Sequence, residues 1–188
     1  MKNFFTAVIF AVVALSFSAG SAEPTPVPLS ESSAEEIYSR LESAVANDEI
    51  LFTVKNFRRD SGNDASEVKA WTCDMVEKST GKSDAQIFFT NDEKDRLFLV
   101  FFLCNTKNIP ESELDDVVLM MITLSLGIPT YFGVPESECQ ALIEEFMKDP
   151  SVGKWSRWDS EHKKLVNIVA GNKDDVLGFY IYATDGED

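Results

Sequence analysis

The chain has 188 residues, 44% of them hydrophobic and 11% aromatic, enough apolar side chain for a packed core and too much for a disordered chain. Its formal charge is −15, from 32 acidic against 17 basic residues, so it lacks the basic footprint that nucleic-acid binding needs and is poorly suited to anionic lipid. The same charge suits a cationic protein or peptide partner, or a cation such as Ca²⁺, although acidic charge also keeps many exported proteins soluble without selecting any partner.

In chain order, Lys2 precedes an apolar run from Phe4 to Phe17, followed by the small residues Ser18, Ala19, Gly20, Ser21 and Ala22. A single charge, a short apolar stretch and a small-residue cleavage site read as a secretory signal peptide over residues 1–22, with Glu23 as the first mature residue. The run is short of the roughly 18 apolar residues that a membrane anchor needs. The expected compartment is therefore outside the cytoplasm, secreted or periplasmic. Loss of Lys2 with the leader makes the mature chain one unit more acidic. Pro24, Pro26 and Pro28, with Ser30, cannot feed a helix, and 23–31 reads as an extended spacer. Residues 32–185 are expected to form one domain.

Ser33 and Glu36 have the spacing of a capping box, and Ile37, Leu41, Ala44 and Val45 repeat at helical period, so a helix is expected over 34–47. Alternating residues then mark strands at 50–55, 68–76, 86–90 and 96–104, separated by the turn-rich stretches 60–64, 79–82 and 91–94. The last of these strands, with Leu97 to Leu103 apolar throughout, belongs in the middle of a sheet, covered on both sides. After Pro110 the period changes: a buried helix is expected over 117–126, and a second over 135–148 with Cys139, Leu142, Ile143, Phe146 and Met147 on its inner face. Strands return at 155–158, 165–170 and 176–183, the last two joined by a hairpin turn at 171–174. The sum is an α+β fold, antiparallel strands packed against helices in the order α-β-β-β-β-α-α-β-β-β. Helix followed by a meander occurs twice, at 33–105 and 135–183, which would fit a duplicated unit, although no residue-by-residue match joins the halves.

Chemistry-bearing motifs are few. Gly81-Lys82-Ser83 has the ending of a phosphate-binding loop, but that loop needs a glycine where Val76 stands, and the segment leads into a strand rather than a helix. His162 is the only histidine, so a metal site built on several histidines is excluded. Paired with Cys73, Cys104 or Cys139 it could form a nucleophile and base, but it lies in a turn and the thiols lie in apolar elements, where they are inert. The acidic turns, Asp60 with Asn63 and Asp64, Asn91 with Asp92 and Asp95, and Asp174 with Asp175, do not match a calcium-binding loop. No cofactor or metal site is expected. No Asn-X-Ser/Thr acceptor is present.

Aromatic residues offer the better binding candidates. Tyr131 and Phe132 lie between Gly127 and Gly133 in an inter-helix connection, and Trp155 and Trp158, three apart on a strand, point to opposite faces. Three cysteines in an exported chain leave one thiol over if two pair, and Cys73 with Cys104 is the expected disulfide, Cys104 with Cys139 the alternative. The function expected from all this is that of an exported, non-catalytic binding protein, an inhibitor or an accessory. A small hydrolase using a carboxylate pair and a carrier with an apolar cavity are the alternatives.

Overall fold

A computed structural model describes residues 25–46, 52–60, 69–83, 85–105, 107, 137, 154–173 and 176–186, with backbone alone at 154, 155, 170–173 and 177. Their framework is one antiparallel sheet. The first strand, β1 (Pro26–Val27), is followed by helix α1 (Ala34–Ala44) and the meander β2 (Phe52–Arg59), β3 (Lys69–Glu77), β4 (Ala85–Asn91) and β5 (Leu97–Asn105). A second meander, β6 (Lys154–Asp159), β7 (Lys164–Lys173) and β8 (Val176–Thr184), completes it. The spatial order is β2-β3-β4-β5-β8-β7-β6, with β1 paired to β8.

The two meanders join where β8 lies against β5, from Leu99↔Tyr182 to Asn105↔Val176. That pairing makes β5 the central strand, the position expected for its uninterrupted apolar run. On one side of the sheet Cys73, Ile87, Phe102 and Phe179 stand abreast on β3, β4, β5 and β8, each no more than 2% exposed. Helix α1 packs on this side through Ile37 and Leu41, which share a core cluster with Val54, Met75, Phe89, Val100 and Ile181. Ser33 caps the helix, its hydroxyl accepting from the Glu36 amide at 3.3 Å while the Glu36 carboxylate accepts from the Ser33 amide at 3.1 Å. Asn91 at the end of β4 accepts from the Ala34 amide, fixing where α1 begins against the sheet.

This architecture corrects the α+β expectation. The described residues form a predominantly β structure, eight strands in one sheet with one eleven-residue helix, and an order with several helices has no support. The strands before and after the middle of the chain join through the long-range β5–β8 pairing, which a local reading of separate strand and helix blocks does not anticipate. The helices expected over 117–126 and 135–148 lie outside the described residues, as do the leader 1–22 and the inter-helix aromatics Tyr131 and Phe132.

The N-terminal segment that reads as a spacer is extended from Thr25 onward and is joined to the sheet. Thr25 and Asp185 exchange two hydrogen bonds, from the Thr25 amide to the Asp185 carboxylate at 2.6 Å and from the Asp185 amide to the Thr25 carbonyl at 3.0 Å. Leu29 is fully buried. The amides of Leu29 and Ser30 both donate to the Leu97 carbonyl, and the Leu97 amide donates to Ser32. The segment thus takes up β8 where β5 stops.

Candidate functional site on the second face of the sheet

Strand alternation places a different set of side chains on the opposite face, away from α1. Thr72, Phe88, Phe101, Tyr180 and Val169 form one cross-strand row. Phe88 and Phe101 meet at 5.8 Å between ring centroids, and Phe101 stacks on Tyr180 at 5.2 Å. Both separations fall in the favourable range for aromatic pairs. Gly178, beside Phe101 on β8, makes room for this ring: a Cβ there would stand 3.3 Å from the Phe101 ring edge. In the adjacent row, Leu99 on β5 faces Tyr182 on β8. Phe101 is buried, whereas Phe88, Leu99, Leu103, Tyr180 and Tyr182 remain half-buried. Burial raises the Tyr180 hydroxyl above its ordinary pKa, so it stays a neutral hydrogen-bonding group.

A polar cluster borders the aromatic row at the β2 edge. The Asp74 carboxylate accepts from Gln86 and from Asn56, each at 2.8 Å, and takes both terminal nitrogens of Arg58 at 3.2 Å. Asn56, at φ 58°, sits in the irregularity between Lys55 and Arg58 that turns Arg58 toward this carboxylate. Partial burial alone would raise Asp74, but the bonds from Arg58, Gln86 and Asn56 outweigh it and hold the carboxyl below its ordinary value. The border is therefore a fixed, internally neutralised ion pair rather than a free acidic rim.

Other sequence candidates fall elsewhere. Trp158, on β6 opposite Leu165, is half-buried at the far edge of the sheet. Trp155 pairs by backbone with Ile168, and its side chain lies outside the described residues. The expected Cys73–Cys104 disulfide is corrected: both residues are buried and they are not joined to each other. They sit on β3 and β5 with β4 between them, and two strand spacings, about 10 Å, exceed the reach of a disulfide. Cys139 lies outside the described residues, so the alternative pairing does too. Burial, aided by the Asp74 charge, raises the Cys73 thiol to about 12. That thiol is an apolar core group, not a nucleophile.

His162 lies in the exposed β6–β7 turn, its Nδ1 2.8 Å from Asp159. Asp159 is a turn-builder, accepting also from the amides of Glu161 and His162. Burial pushes Asp159 up, but these bonds and the ring prevail and hold it below its ordinary pKa. Gly81 and Lys82 are exposed in the β3–β4 turn, whose Glu77 carboxylate gathers Ser79 and Thr80. Among the described residues, no group of three or more His, Cys, Asp or Glu could hold a metal, and no helix is long and apolar enough to cross a membrane.

Sequence reasoning missed the aromatic row. Phe88, Phe101 and Tyr180 come from three strands, and the alternation that selects them was present, but the partner of β5 was not legible. Compared with protein-family models, with curated proteins and with solved structures, the chain finds no match in any of the three.

Proposed function

We propose that this chain is an exported binding protein that works through protein–protein contact, with the aromatic second face of its sheet as the contact surface and a basic protein or peptide as the partner. The observation that carries the reading is the row Phe88–Phe101–Tyr180, held in register by backbone pairing and bordered by a locked polar cluster. Rigid aromatic side chains on a sheet face give large contact area with little conformational entropy left to lose, and such residues dominate interface energetics. The strongly acidic charge would steer a basic partner and make association depend on salt. Export is supported by the charge, apolar run and small-residue site of residues 1–22.

Affinity capture from the culture supernatant or envelope fraction tests this, using the wild-type chain beside a Tyr180→Ser, Phe88→Ser double variant of matched folded content. Recovery of a basic protein by the wild type alone, weakening with added salt, is the expected result. Equal recovery by both chains removes the aromatic face from the reading. N-terminal sequencing of the protein found outside the cytoplasm should begin at Glu23.

A further inference from the structure

The N-terminal segment is attached to the sheet by fewer contacts than join the long strands to one another. Its ladder with β8 is two residues long, Pro26↔Thr184 and Val27↔Ala183, and Pro26 brings no amide donor. Its only fully buried side chain is Leu29. Val27, partly buried, packs against the same core, and the rest of its hold is hydrogen bonds and ion pairs. The Lys164 ammonium, on a residue only 8% exposed, donates to the Leu29 carbonyl at 2.6 Å. Arg96 meets Glu31 at 3.6 Å while also gripping Asp92 at 2.7 Å. Lys164 thus reaches the segment from the start of β7, and Arg96 reaches it from the β4–β5 turn. The next residues are fixed independently, by the Ser33–Glu36 capping box and by Asn91 on the Ala34 amide. A boundary therefore falls between Ser32 and Ser33: helix-bound after it, held before it by a few backbone bonds to Leu97 and Asp185 together with the Lys164 and Arg96 side chains.

We propose that residues 25–32 form a strap that opens from the sheet as a unit, hinged at Ser32–Ser33, with Lys164 as its latch. Segments held by few apolar contacts and short ladders open at lower free energy than the body they lie on. A buried ammonium must keep its acceptor, and the Leu29 carbonyl is one only the seated strap supplies, so Lys164 couples its own solvation to strap closure. Opening returns Lys164 to water and bares the side of Ala183 and Thr184 that β1 covers. The device is independent of the binding reading, since the strap and the aromatic row are held by different contacts.

Native-state hydrogen exchange on the mature chain tests it. The amides of Leu29, Ser30, Leu97 and Asp185, all bonded across the strap, should exchange as a group and faster than the amides along the β5–β8 pairing. A Lys164→Met variant, which keeps the apolar stem, should speed that group by about tenfold or more, as loss of a charge-assisted bond implies, and leave the β5–β8 amides unchanged. Exchange of the four strap amides at the β5–β8 rate in the wild type overturns the proposal whether or not the variant folds. An equal acceleration of strap and sheet amides in Lys164→Met overturns the latch.

Discussion

The two faces of the sheet are made by the same strands, yet they are different materials. Cys73, Ile87, Phe102 and Phe179 on the helix side are essentially sealed from water, while one residue along each strand Thr72, Phe88, Phe101 and Tyr180 form a row in which Thr72 and Phe101 are buried and Phe88 and Tyr180 stay half-buried. The first face is set by burial and the second by register: its aromatics meet because β4, β5 and β8 pair as they do, not because a described helix presses on them. The second face keeps its aromatic contacts while remaining partly wet, whereas the sealed face holds the fold.

Truncation separates the faces most sharply. Phe102→Ala should cost about 3–5 kcal/mol in urea unfolding, because a fully buried ring leaves a cavity that a pleated sheet cannot close. Phe88→Ala should cost about 1–2 kcal/mol, since a half-buried ring loses less transfer free energy and leaves no sealed void. Equal losses at the two sites would erase the distinction between the faces.

Acid provides a further probe, on the second face. A carboxyl held below its ordinary value stabilises the fold above the usual carboxylate range, and that contribution disappears as pH falls through the lowered value. Asp74 is such a group. Asp74→Asn should lower stability near neutral pH by about 1 kcal/mol, at the low end for a charged hydrogen-bond network because Arg58 is half exposed, and should flatten the acid limb of the stability–pH curve. On the helix side, Ser33→Ala should cost about 1 kcal/mol by removing one half of the capping box, with the urea midpoint as readout. The smallest effect belongs to a thiol: Cys73 should resist alkylation in the folded chain and label in denaturant without prior reduction, with intact mass and peptide mapping as the measure.

Local signals in the sequence were read well where they were self-contained. The Ser33–Glu36 box and the period of Ile37 and Leu41 locate α1, and alternation locates β3 to β5, β7 and β8 to within a few residues. The all-apolar run from Leu97 to Leu103 falls on the strand that lies in the middle of the sheet. What failed depended on distant partners. β2 runs past Lys55 because the turn of backbone at Asn56 lets Arg58 and Arg59 rejoin β3, and that break in alternation reads as a strand end. β1 was hidden for the same reason: its prolines signal extension, but the residues it pairs with lie some 160 positions away. The disulfide inference assumed that two cysteines on one sheet are neighbours, and β4 stands between them. The aromatic row needed the β5–β8 register, which no window of sequence contains.

The clasp between Thr25 and Asp185 has a geometric consequence for anything attached to this chain. Polypeptide arriving at Thr25 and polypeptide leaving Asp185 share one pole of the sheet, alongside the β4–β5 and β6–β7 turns. A tether or fusion at either end would hold the molecule by the same corner and leave the broad aromatic flank clear of it.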